Sequence, residues 1–199
     1  AYADVFDSDS VLQSERDYSA CTLNPNPTTS FSCGGSSTNA TGRFTDFATY
    51  DFTTDTASAW RDYVAANDQY NFGPLNYYQR PERRYDLGAT GHYEFGEHAD
   101  VYAQLMYSDY ESVAQVAPGG IFIGDTSSIN CDNPLIPSAH LATIGCDETA
   151  VANGDSVTMF IGRRNVEGGG RQQVFAFDGF RGVMGLRGAI SDGWDYDAS

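Results

Sequence analysis

Between Arg84 and Ser108 two ten-residue runs of alternating apolar and polar residues meet at a short polar turn, and this alternation limits the fold more than any other feature of the chain. In the first run Tyr85, Leu87, Ala89, Gly91, Tyr93 and Phe95 share one face, with Asp86, Gly88, Thr90, His92 and Glu94 on the other. After Gly96-Glu97-His98 the second run places Ala99, Val101, Ala103, Leu105 and Tyr107 opposite Asp100, Tyr102, Gln104, Met106 and Ser108. A repeat of about two residues is that of a strand, not a helix. The pattern predicts an antiparallel hairpin, 85–95 with 99–109. Each run is long enough to cross a bilayer as a tilted strand, which takes about 9–11 residues. Aromatics end the apolar face, and the opposite face is polar enough to line a wet lumen.

The rest of the composition suits an all-β chain. It holds 13 Tyr, 12 Phe and 21 Gly in 199 residues, so aromatic and turn-forming residues are prominent. A net charge of −16 argues against a nucleic-acid partner, because phosphates need a basic face. Acidic loops fit divalent cations such as Ca2+, cell-surface exposure, or simple solubility. No apolar run is long enough for a transmembrane helix, which leaves a β-barrel open because barrel strands alternate. Both ends read as cut through strands, so the chain is expected to be an internal piece of a longer precursor.

The four cysteines form two local pairs, Cys21 with Cys33 and Cys131 with Cys146, each within an Asn-, Pro-, Ser- and Gly-rich stretch. Three connectivities exist, and the local one closes two short polar loops. Zinc is the rival reading, but no C-x-x-C occurs, and His92, His98 and His140 are not spaced as ligands. Disulfides place the loops in the periplasm or outside the cell.

Strands are expected near 1–11, 81–95, 99–113, 172–190 and 194–199. The segments 12–80 and 114–171 read as long, mostly irregular loops, with a short helix near 57–66. In 172–190 the residues Val174, Ala176, Phe180, Met184, Leu186 and Ile190 share a face, and Ser191-Asp192-Gly193 is a hairpin turn. Short and long connections therefore alternate, as the short periplasmic turns and long outer loops of outer-membrane barrels do.

Several stretches carry a family resemblance. They are Tyr70-Asn71-Phe72-Gly73-Pro74-Leu75-Asn76-Tyr77-Tyr78-Gln79-Arg80-Pro81-Glu82-Arg83-Arg84-Tyr85, His92-Tyr93-Glu94-Phe95, Ala114-Gln115-Val116-Ala117-Pro118-Gly119-Gly120, Cys131-Asp132-Asn133-Pro134-Leu135, and Ile161-Gly162-Arg163-Arg164-Asn165-Val166-Glu167-Gly168-Gly169-Gly170-Arg171. Together they resemble the middle of the barrel in TonB-dependent outer-membrane receptors, in the variant abundant in sphingomonad- and caulobacter-like proteobacteria. The resemblance implies a Gram-negative outer-membrane barrel with an N-terminal plug, lipid around it, and the TonB complex and a small nutrient ligand (siderophore, cobalamin or oligosaccharide) as partners. No plug, TonB box or terminal aromatic strand is present in these residues, and five strands do not close such a barrel.

Ligand contacts under this reading come from two polar clusters, Tyr77, Tyr78, Arg80, Arg83 and Arg84, and Arg163, Arg164, Asn165, Glu167 and Arg171. Arginine suits carboxylate and phosphate, and tyrosine suits sugar or aryl faces. The rival role for these arginines is structural pairing with lumen acids. Two other functions stay open: a barrel-derived fragment that self-associates into an extracellular β-rich filament, and a secreted β-domain that binds carbohydrate. Catalysis is not expected, since G-x-S-x-G is absent and Asp147-Glu148 reads as a solvated pair. Asp7-Ser8-Asp9 lacks the Gly and distal Glu of an EF-hand, and Asn39-Ala40-Thr41 is a sequon of little weight in a bacterium.

Overall fold

A computed structural model describes residues 1–26, 30–56, 59–96 and 98–199, and it divides the chain into two compact units. The first comprises Ala1–Val11, Gln79–Ala114 and Gln172–Ser199, and the second Leu12–Tyr78 and Gln115–Arg171.

The first unit is built on one five-stranded sheet whose spatial order is its chain order: Tyr2–Ser8, Glu82–Glu94, Asp100–Val116, Arg171–Ser191 and Trp194–Ala198. The expected hairpin forms in the expected register, with Leu87 opposite Tyr107, Ala89 opposite Leu105 and Tyr93 opposite Val101. Contacts of Asp100 with Arg187, Met106 with Arg181, and Tyr110 with Phe177 run in opposite chain senses, so the third and fourth strands are also antiparallel. Two strands outrun their expected bounds, the third reaching Val116 and the fourth running from Arg171 to Ser191. The first is shorter than expected and ends at Ser8. Gly193, at φ +81°, takes the left-handed backbone that the Asp192-Gly193 turn requires. Gly96 has φ +129°, whereas Glu97 of the other turn lies outside the described residues.

Two glycines in this sheet have a packing reason. A Cβ on Gly88 would sit 2.2 Å from the ring of Tyr2, its neighbour on the adjoining strand, and one on Gly185 would sit 2.4 Å from the ring of Tyr102. Each tyrosine thus lies flat over a glycine, the cross-strand cover that makes up for a missing side chain.

The two faces of the sheet differ. One carries a polar network: Arg84 pairs with Asp86, Ser108 donates to Asp86 at 2.6 Å, Tyr102 donates to Asp197 at 2.6 Å, and Asp100 receives both His92 and Arg187. The other carries Val5, Tyr85, Leu87, Tyr93, Leu105, Tyr107, Val174, Phe180, Met184, Leu186 and Ile190, all exposed.

The segments expected to be irregular fold instead into the second unit. Its main sheet orders Gly120–Ile121, Ser156–Arg164, Arg43–Thr45, Asp51–Thr56 and Ala59–Asp62, with Thr126–Asn130 also paired to Ser156–Arg164. Pairings such as Phe160 with Thr45 join residues of the two insertions, far apart in sequence. The helix expected at 57–66 is displaced: residues 57–58 lie outside the described residues, Ala59–Asp62 is a strand, and only Ala65–Asp68 is helical. Strand pairing to Asp51–Thr56 satisfies backbone groups that one helical turn would leave open.

The core of this unit is Phe52, Ile136, Ile144, Met159 and the Cys131–Cys146 disulfide, with Phe44, Tyr50 and Trp60 packed against it. Both cysteines are almost wholly buried, so this bridge is a member of the core as well as a loop closure. Cys21–Cys33 spans the small hairpin of Thr22–Pro25 and Phe31–Gly34. Asp147, read as half of a solvated pair, is the N-cap of the helix Glu148–Asn153, its side chain accepting from the Ala150 N–H at 2.8 Å. Asn39 of the sequon is buried, its amide donating to Thr53 Oγ1 at 2.7 Å.

Candidate functional site

The strand Ser156–Arg164 delivers two adjacent arginines to opposite sides, as alternation along a strand demands. Arg163 is half-buried and pairs with Glu167 across the turn. Its guanidinium and the backbone N–H of Glu167 itself hold that carboxyl below the usual range, the backbone bond being the larger cause. Arg164 turns inward and is 6 % exposed. Its backbone N–H donates to Asn39 O at 2.8 Å, and the neighbouring Asn165 N–H donates to Gly119 O at 2.9 Å. Gly120 has to be glycine, since a Cβ there would sit 2.4 Å from Arg163 O.

The setting of the Arg164 guanidinium is unusual for a buried cation. Nη1 donates to Pro118 O at 2.9 Å and Nε to Thr38 O at 3.4 Å. The rings of Phe122, Tyr70 and Phe72 lie 4.7, 5.2 and 5.8 Å from its carbon. Among the described residues six of the eleven arginines pair with a carboxylate (Arg43, Arg61, Arg83, Arg84, Arg163 and Arg187), and Arg164, the most buried of all, is not one of them. Burial lowers its pKa from the ordinary value, and the charge of Arg171 pushes the same way, against a smaller opposing pull from Tyr70 than from burial. Buried charges are normally neutralised by a partner. Here cation–π contacts, each about 0.5–2 kcal/mol, and two carbonyls do part of that work.

Arg164 and Arg171 line one cavity of about 340 Å³, walled by Phe72, Asn76, Val116, Ala117 and Phe122. Asn76 and Arg171 brace it, the former accepting from Ala117 N–H at 2.7 Å and the latter donating from Nε to Ala117 O at 2.9 Å. The sequence singles out the two arginines as ligand contacts, whereas Phe72, Asn76, Val116 and Ala117 stand only in the stretches that carry the resemblance and Phe122 in none. The aromatic walls belong to the Tyr70-Asn71-Phe72 and Ile121-Phe122 stretches, whose only signal was a ring beside a glycine-rich turn.

The residues of the second expected cluster are divided between the two units, and its arginines and Tyr78 each have a partner within their own unit. Arg83 pairs with Glu111 at 2.9 Å, Arg84 with Asp86 at 2.9 Å, and Arg80 lies over the Phe175 ring at 5.7 Å. Arg83 and Arg84 also point to opposite faces of their strand. Tyr78 packs edge-on against Tyr18, ring centroids 5.6 Å apart, and Tyr77 is half-buried.

Acidic loops were the expected place for Ca2+. The one group of metal-type side chains that converges among the described residues is His92, Glu94 and Asp100, on strands of the first sheet, with ligand atoms within 4.8 Å of one another. Asp100 there already neutralises Arg187 at 2.7 Å. A second cavity, about 560 Å³ along Asp100, Arg187, Asp195 and Asp197, is open and acidic. No described helix is long and apolar enough to cross a membrane. No protein-family model matches the chain, and neither does any curated protein sequence or solved structure.

Proposed function

We propose that this chain is a segment of a TonB-dependent outer-membrane receptor, its first sheet crossing the bilayer and its second unit a disulfide-bonded extracellular domain that receives a scarce nutrient. One observation carries the reading: the apolar face of the sheet is banded. Ala89, Ala103, Leu105 and Met184 lie between Tyr85 and the Leu87–Tyr107 pair towards one end and Tyr93, Phe95 and Trp194 towards the other, with the large side chains exposed. From Tyr85 to Phe95 the strand rises about 33 Å at roughly 3.3 Å per residue. At the usual tilt near 40° that is about 25 Å along the membrane normal, the height of the apolar band on outer-membrane barrels. The hydrogen-bonded polar face suits a wet lumen. Both short turns leave one end of the sheet and both long insertions leave the other, the asymmetry such barrels use. Under this reading the plug, the TonB complex and outer-membrane lipid are the partners, and the disulfides suit the oxidising side of the cell.

Paired substitutions on neighbouring residues test it. Leu105→Arg, near mid-band, is expected to cost about 2–4 kcal/mol in lipid and to remove the protein from the outer-membrane fraction, whereas Gln104→Arg on the polar face is tolerated. Equal tolerance of both would place the apolar face in water and sink the reading. The open edges Tyr2–Ser8 and Trp194–Ala198 favour a second reading, edge-to-edge self-association outside the cell. A native mass near 21.6 kDa in the extracellular fraction would select it.

A further inference from the structure

We infer that the cavity at Arg164 and Arg171 binds the carboxylate of a small organic anion with an apolar or aromatic body. In its biological purpose this rests on the receptor reading; the chemistry rests on the cavity alone. The inference starts from an uncompensated charge. A guanidinium has five N–H groups in one plane, and Arg164 uses two of them on Pro118 O and Thr38 O. The other three have no acceptor among the described residues, and the charge of Arg171 acts on this guanidinium in the same direction as burial, disfavouring the cation. Among the described residues Arg171 donates from Nε to Ala117 O at 2.9 Å, a contact at one of its five N–H groups. Two cations with spare donors therefore face one cavity in a chain that otherwise carries a large excess of acids.

The walls choose among anions. A planar carboxylate matches the guanidinium fork and can accept from both arginines at once. Phosphate is more strongly hydrated and calls for more polar contacts than Phe72, Phe122 and Val116 supply. Phe122 and Val116 are half exposed, at 49 % and 45 %, and so can close over a ligand's apolar part. A volume of about 340 Å³ sits at the small end for ligand sites, which suits a single-ring acid. Binding would stabilise the cationic form of Arg164 that burial disfavours.

Titration calorimetry of the native protein with benzoate, benzamide and inorganic phosphate is the test. Benzoate is expected to bind and benzamide, its neutral isostere, to bind at least tenfold more weakly, with phosphate also weaker than benzoate. Arg171→Gln, which removes an exposed side chain, is expected to weaken benzoate at least tenfold. Arg16→Gln removes the same charge elsewhere in the second unit and should leave affinity unchanged. Arg164→Lys keeps the charge but loses the planar fork, and should also weaken binding, with Trp60 fluorescence reporting whether the unit stays folded. Benzoate bound no better than benzamide, or unaffected by Arg171→Gln, or weakened as much by Arg16→Gln, overturns the inference. The readout is separate from membrane fractionation: benzoate binding by a protein that never enters the membrane would sink the receptor reading and leave this site standing.

Discussion

The two units solve the problem of apolar residues in opposite ways. Among the described residues every buried apolar side chain, from Phe52 to Met159, is in the second unit, which closes a core and pins it with Cys131–Cys146. Among its described residues the first unit buries none, and it displays Leu87, Leu105, Phe180, Met184 and Ile190 along one face of a single sheet. Exposed area of that kind has no stabilising transfer term in water, at roughly 25 cal/mol per Å², unless something apolar covers it. The contrast is that between a fold which supplies its own apolar phase and one which borrows it, and lipid is the source we propose.

The chain's two tryptophans make the comparison measurable, because Trp60 packs on Phe44 in the second unit and Trp194 is 71 % exposed in the first. The largest expected effect is from Phe52→Ala, which should lower stability of the second unit by about 3–5 kcal/mol. Denaturant unfolding followed through Trp60 should shift while the Trp194 signal in lipid stays put. Equal shifts in both would mean that the first sheet draws on the same core.

Next in size, Cys131→Ser with Cys146→Ser opens a 15-residue separation and should cost the second unit about 3 kcal/mol. If both tryptophans report the loss equally, the contrast between the units is broken again.

Acid should give the smallest effect. Asp46 is held well below the usual carboxylate range, first by the Thr49 hydroxyl and then by backbone N–H groups of Tyr50, Ala48 and Thr49. A depressed carboxyl contributes stability above its unfolded value, near pH 4, and loses it as pH falls towards its folded value. The Trp60 transition of the wild type should therefore weaken below about pH 4, and that of Asp46→Asn should weaken less. Identical acid profiles would remove Asp46 from the account.

Much of the candidate site was hidden for a physical reason. Arg163, Arg164, Glu167 and Arg171 stand out in one polar block, but alternation along a strand does not say which of Arg163 and Arg164 faces inward. Burial of Arg164 depends on Tyr70, Phe72 and Phe122, contributed by chain remote from it. Arg80, Arg83 and Arg84 looked equally suited to an anion and are taken up by Phe175, Glu111 and Asp86. Which arginines stay uncompensated is settled by neighbours that no local pattern reveals.

The sequence by itself determined the local features: the period-two runs and their register, the Asp192-Gly193 turn, and two disulfides between cysteines 12 and 15 residues apart. Each depends on residues close in the chain, so spacing and turn chemistry are enough. Only the tertiary structure decided that the two insertions make one sheet. Arg43–Thr45 is three residues long, and Ser156–Arg164 mixes Met159 and Phe160 with Gly162 and arginine, so neither alternates cleanly. Their pairing is a long-range choice, made when a shared core around Phe52 and Met159 repays the entropy of bringing them together.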